Sequence, residues 1–121
     1  PDNSSFHVVD YDTTTGKVLQ KKTAQGAADS SAWARGQAWG LYGFTMMYRE
    51  TSIKAYLEQA KKIAAFMLND PNMPKDKIPY WDYNAPGIPN ALRDASAAAI
   101  MSSALLELSQ YVETKDKERY I

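Results

Sequence analysis

Apolar residues recur every three or four positions along three stretches of the 121-residue chain, and that period predicts helices. The clearest stretch carries Ile53, Leu57, Ala60, Ile63, Ala64 and Met67 on one stripe. Lys54, Glu58, Lys61 and Lys62 face the other way, so a helix is expected from Ile53 to about Asn69. Another helix is expected before it, from Ser31 to about Arg49, with Ser30 or Ser31 as its cap. Only Glu50, Thr51 and Ser52 separate the two, with Thr51 or Ser52 capping the second, and so short a link predicts an antiparallel αα-hairpin. In the third stretch Ala97, Met101, Ala104, Leu105, Leu108 and Val112 make the buried face of a helix that starts at Asp94 or Asn90 and reaches about Val112. The period shortens near the N-terminus. Phe6–Tyr11 and Lys17–Gln20 flank Asp12–Gly16 and predict a β-hairpin, with Thr23–Asp29 as a loop beyond it. Five prolines between Asp70 and Pro89 exclude a helix there. Such a long loop usually has a role, and Tyr80, Trp81 and Tyr83 give it an apolar anchor.

The stretch Ser30–Gly43 departs from a plain core helix. Arg35, Trp39, Tyr42 and Met46 share one face at helical spacing, and Trp33 and Gln37 form a second pair four apart. Glycine costs about 1 kcal/mol against alanine inside a helix. Gly36, Gly40 and Gly43 therefore predict that another backbone or a ligand presses on that side. A guanidinium offers a planar fork to a carboxylate and an indole offers a face to a sugar ring, so Arg35 and Trp39 together fit an anionic sugar. Taken alone, the pair fits equally a solvated arginine beside a core tryptophan.

The other candidates have simpler readings. His7 is the only histidine, and a lone histidine near an apolar strand is more often structural than catalytic. Gln25 reads as a turn residue. Ordinary glycoside hydrolysis needs two carboxyl groups flanking the bond, but no spacing pairs Asp29, Asp82 and Asp94. Asp94 reads as an N-cap, Asp82 as an acceptor anchoring its loop, and Asp29 as a cap or first-turn acid.

Composition narrows the partners. The chain carries 14 basic and 14 acidic residues, which argues against a nucleic-acid or membrane-surface partner, since both need a basic field. With no cysteine and one histidine, neither a disulfide nor a metal ligand set is expected, and no cofactor. The glycines of the central helix follow no strand and lack a Lys-Ser/Thr ending, so no phosphate loop is expected. The chain starts at Pro1, and Lys115–Ile121 reads as the start of a further helix. A segment of a larger protein is expected on these grounds.

Three blocks carry a resemblance. Trp33-Ala34-Arg35-Gly36-Gln37-Ala38-Trp39-Gly40, Pro79-Tyr80-Trp81-Asp82-Tyr83 and Arg93-Asp94-Ala95-Ser96-Ala97-Ala98-Ala99-Ile100 resemble, in order and spacing, the unsaturated glucuronyl hydrolases of glycoside hydrolase family 88. The likeness runs over nearly the whole chain. A sister family acting on unsaturated rhamnogalacturonan usually has Asn-Gly where this chain has Gln37-Ala38. The resemblance implies an all-α fold, an (α/α)6 toroid of the six-hairpin glycosidase type, of which residues 1–121 with their small β-hairpin would be one partial domain. It implies hydrolysis of Δ4,5-unsaturated uronyl oligosaccharides, with an aspartic acid protonating the C4=C5 bond and water adding at C5. The aspartates credited with that step lie upstream in blocks without a counterpart here, so no catalytic residue is assigned. His7, Gln25, Trp33, Arg35 and Trp39 fall where the family contacts its sugar. A bacterial cytoplasmic or periplasmic setting follows by the same analogy. A toroid segment also leaves helix faces exposed, so self-association is expected. The alternatives are a non-catalytic carbohydrate-binding module and a helical protein-interaction scaffold.

Overall fold

The computed structural model describes residues 2–121. In chain order it has β1 (Val8–Tyr11), β2 (Val18–Lys22), α1 (Ala34–Thr51), α2 (Lys54–Asn69), α3 (Ala95–Leu108) and α4 (Thr114–Tyr120). The expected all-α architecture with a small hairpin is what forms. α1 is its centre, packed along α2 on one side and along α3 on the other, while α2 and α3 barely meet. Alanines allow this double approach: Ala34 and Ala38 on α1, Ala60 and Ala64 on α2, and Ala97 and Ala104 on α3 are all fully buried. Leu41, Ile63, Met67, Met101 and Leu108 fill the space between them.

Helix ends differ from the expected ones. α1 begins at Ala34 with Trp33 in the N-cap position and no side-chain cap. Ser31 spends its hydroxyl on Ala28 O and Asp82 instead. The link to α2 is only Ser52 and Ile53, and neither Thr51 nor Ser52 caps α2. Thr51 closes α1 by donating to Met47 O, and Ser52 takes a left-handed φ of 57° with its N–H on Tyr48 O. Ile53 is half exposed and so falls outside the core stripe. Asp94 does cap α3, accepting from Ala97 N at 2.8 Å. That helix stops at Leu108, four residues early, where Gln110 N and Tyr111 N turn back onto Glu107 O and Leu108 O. Val112 still packs against the core from beyond the helix.

β1 and β2 pair antiparallel, Val8 opposite Lys22 and Asp10 opposite Gln20, with an irregularity at Tyr11. Asp12 builds the connecting loop, its carboxylate accepting from Thr14 N, Thr15 N and Thr15 Oγ1. Gly16 closes it at φ 69°. Strand geometry starts at Val8, leaving Phe6 and His7 outside it.

The proline-rich loop is the organiser of the functional end. Its residues 79–83 run between the segments that precede α1 and α3. Ala34 N bonds Trp81 O and Tyr83 N bonds Ala32 O on one side, while Trp81 N bonds Leu92 O and Asp94 N bonds Pro79 O on the other. The N-termini of α1 and α3 are thereby held together. Side chains staple the loop further: Tyr80 donates its hydroxyl to Pro89 O at 3.0 Å, and Asn72 donates to Tyr83 O at 2.7 Å.

Tyr83 is buried against Phe66, but its hydroxyl has no hydrogen-bond partner. Burial, with the nearby Asp70 charge as a smaller cause, pushes this hydroxyl above its ordinary range, so it stays a neutral phenol. An orphaned buried hydroxyl costs roughly 1–3 kcal/mol. Tyr83→Phe is accordingly expected to raise the unfolding free energy by about 1 kcal/mol in urea denaturation. A loss of stability of that size would show that the hydroxyl has a partner in solution.

Candidate functional site

Arg35 lies in the first turn of α1 and Asp94 is the N-cap of α3, so the bridging loop sets them side by side. Asp94 is used twice. Its Oδ1 caps α3, and its Oδ2 accepts Arg35 Nε at 3.1 Å and Nη2 at 3.0 Å. The Asp94 side chain is 4% exposed and the Arg35 side chain 42%. One edge of the Arg35 fork is therefore committed to the protein. The outward end, carrying Nη1 and the second hydrogen of Nη2, remains open to a ligand.

Trp33 stands beside this pair. The Arg35 guanidinium carbon lies 5.8 Å from its ring, and the His7 imidazole lies 4.5 Å away at a 35° tilt. Gly36 makes room for the indole: a β-carbon there would stand 2.9 Å from Trp33 Cε3. The other two glycines carry no such role. A β-carbon at Gly40 would meet only Ile63 Cδ1, at an ordinary 3.7 Å, and one at Gly43 would meet nothing. Among the described residues the pressure falls on Gly36 alone, and the chain's own indole exerts it.

His7 is fixed through Nδ1, which lies 3.1 Å from Ala24 N, 3.3 Å from Gln25 N and 3.3 Å from Thr23 Oγ1. Thr23 Oγ1 in turn accepts from Gly26 N at 2.7 Å. Gln25 meets His7 through its backbone, and its side chain is exposed. Trp39 lies one turn further along α1. It is 54% exposed, edge-on to Tyr42 at 5.8 Å, beside an open hollow of about 360 Å³ shared with Ala99, Ile100 and Ser103. Of the five candidates, the structure clusters His7, Trp33 and Arg35 tightly. Gln25 adjoins them, and Trp39 widens the surface.

The carboxylates have structural duties. Asp82 is fully buried and accepts from Ala27 N at 2.9 Å, Ser31 Oγ at 2.7 Å and Asn84 N at 2.8 Å, the loop anchor that its position suggested. Asp29 is neither a helix cap nor a first-turn acid. It accepts from Thr23 N at 2.9 Å and so braces the loop beneath His7. Gln37 was visible in the sequence only as a spacing partner of Trp33. It is 3% exposed, and its carboxamide takes Ser5 N and gives to Ser5 O, both at 3.0 Å, tying the segment before His7 onto α1. No local signal announces this, because the partner is a backbone 32 residues away. Among the described residues no group of three or more His, Asp or Glu could hold a metal ion, and no helix is long and apolar enough to cross a membrane. The arrangement is suited to binding: an aromatic face, a cationic end and an imidazole edge, with both buried carboxylates spent on protein groups.

Known proteins resemble the chain over nearly all of its length. No family model matches the chain. An unsaturated glucuronyl hydrolase of Formosa agariphila is 54% identical over 115 residues, which is 95% of this chain and 29% of that protein. The crystal structure of an unsaturated glucuronyl hydrolase specific for heparin superposes with a TM-score of 0.94 at 55% identity, over 99% of this chain and 32% of that one. A Streptococcus agalactiae unsaturated glucuronyl hydrolase, solved as a complex with dGlcA-GalNAc6S, matches at 37% identity and a TM-score of 0.79, over 98% of this chain and 32% of that one. The chain spans about three tenths of the length of the relatives it matches, which are α/α toroids. By sequence and by fold, the chain is similar to one segment of the unsaturated glucuronyl hydrolases.

Proposed function

We propose that the chain forms one wall of a pocket for a Δ4,5-unsaturated uronic acid, in a whole protein that hydrolyses this sugar from the oligosaccharides polysaccharide lyases leave. The observation that carries this reading is the gathering of the His7 imidazole and the Arg35 guanidinium around the Trp33 indole, at 4.5 and 5.8 Å. An unsaturated ring packs against this aromatic cluster, and its carboxylate meets the open end of Arg35. Gln25 and Trp39 extend the contact to the linked sugar.

The reaction is a hydration. A proton goes to C4, the hydroxyl of a water goes to C5, and the hemiketal so formed collapses to release the linked sugar. The chain's own residues bind and orient the ring for this step. The proton donor is assigned to aspartates outside these 121 residues, since Asp82 and Asp94 are engaged within the protein.

Turnover is followed by the loss of ultraviolet absorbance of the C4=C5 bond. The whole protein is expected to consume an unsaturated disaccharide, and the 121-residue chain alone is expected to leave it intact. Sustained turnover by the chain alone would overturn the assignment of the acid. Exposed Trp39, Met47, Leu92 and Leu106 support the further expectation that the chain alone self-associates, which sedimentation velocity would report.

A further inference from the structure

We infer that His7 is held as the tautomer with its hydrogen on Nε2, so that it serves the pocket as a hydrogen-bond donor and not as a base. The role of this donor rests on the uronate-pocket reading, whereas the tautomer rests on the protein alone. A backbone N–H always donates. Two of them, from Ala24 and Gln25, converge on Nδ1 at 3.1 and 3.3 Å. Thr23 Oγ1 lies 3.3 Å from the same atom. It already accepts from Gly26 N, so its own hydrogen is free to turn toward Nδ1. A hydrogen on Nδ1 could reach only Thr23 Oγ1, and it would leave the Ala24 and Gln25 N–H groups facing a donor with no acceptor. The lone pair must therefore point inward, and in a neutral imidazole the other nitrogen then carries the hydrogen.

The outer nitrogen is free to act. Among the described residues Nε2 has no partner, and the Tyr83 hydroxyl is the only buried, unpartnered side-chain polar atom there, so these residues leave Nε2 uncovered. The ring that carries it leans on the face of Trp33. A donor at the edge of an aromatic face selects a sugar oxygen that can accept: a hydroxyl, a ring oxygen or a carboxylate oxygen. A general base at this point would need a lone pair on Nε2, and the loop 23–26 directs the only lone pair the other way. Asp29 supports the device by accepting Thr23 N, which fixes the start of that loop.

Two measurements test this. Long-range nitrogen–proton couplings of the imidazole, recorded on the isotope-labelled whole protein with His7 neutral, are expected to show the hydrogen on Nε2. A hydrogen on Nδ1, or an even mixture, would overturn the inference. The second measurement uses His7→Asn in the whole protein. The asparagine oxygen can replace Nδ1 as acceptor, but nothing reaches the place of Nε2. Exchange protection of the Ala24 and Gln25 amides is expected to persist, while affinity for an unsaturated disaccharide falls roughly tenfold. Unchanged affinity would remove the donor role, and so would protection and affinity lost together, which would leave His7 as a loop support. If the wild-type protein binds no unsaturated disaccharide, the pocket reading fails and the coupling pattern still decides the tautomer.

Discussion

Asp82→Ala is expected to lower the unfolding free energy by about 3 kcal/mol, read from the shift of the urea midpoint at unchanged slope. The carboxylate is fully buried and receives Ala27 N, Ser31 Oγ and Asn84 N. Each donor stripped of a buried acceptor costs about 1–3 kcal/mol. Ala27 and Asn84 are exposed residues whose amides can turn to water, which holds the total near the low end of the sum. Burying a charge without a cation partner opposes folding, so the wild-type arrangement persists only because all three bonds are made. Asp82→Asn keeps one acceptor oxygen but turns an amide toward the remaining donors, and about half the loss is expected. The site should feel the change as well, because Asp82 and Trp33 sit opposite each other in a β-bridge. A loss below about 1 kcal/mol for alanine would mean that the loop 26–31 is anchored elsewhere.

The same residue shows what a sequence makes legible. Helices, hairpin and core stripe follow from periodicity, because burying a face at helical spacing is a local pattern with a strong energetic cause. Asp94 was legible as a cap because its partner, Ala97 N, lies three residues on. Ser31 obeyed the same local rule and was misread, since its hydroxyl is drawn off by Asp82, 51 residues away. Gln37 is the same case in reverse: a polar residue in a helix gives no hint that it will be buried against the Ser5 backbone. The glycine stripe marks one crowded position among the described residues, where Gly36 faces the Trp33 ring. Trp33, Arg35 and Trp39 came from the long aromatic and basic motif, and His7 and Gln25 from the family resemblance alone, but the geometry of all five depended on tertiary pairings. No spacing rule joins Arg35 to Asp94 across 59 residues, and that ion pair decides which end of the guanidinium is left for a ligand.

On the proposed pocket reading Arg35 does two things, pairing with Asp94 and holding the uronate carboxylate, and substitutions can separate them. In the whole protein Arg35→Lys is expected to lower kcat/KM by roughly tenfold or more, at about 1.4 kcal/mol per decade. An ammonium can satisfy Asp94 Oδ2 with one bond, yet it has no second, outward pair of donors for the uronate carboxylate. Truncating a desolvated charged contact costs about 2–5 kcal/mol, and a rim charge much less. Arg35→Ala goes further by leaving the buried Asp94 without its cation. Removing one partner of a fully buried pair costs about 3–5 kcal/mol. Because the Arg35 side chain is 42% exposed, solvent screening should reduce this to about 2 kcal/mol of stability. Asp94→Asn supplies the control. Asparagine still caps α3 through its oxygen, but its other end faces Arg35 Nε and Nη2 with an amide. It is expected to keep most of the stability and to lose activity as Arg35 swings out of register. If Arg35→Lys matches wild-type kinetics while Arg35→Ala still destabilises the fold, Arg35 is the counter-ion of Asp94 and nothing more, and the uronate carboxylate must find its cation elsewhere.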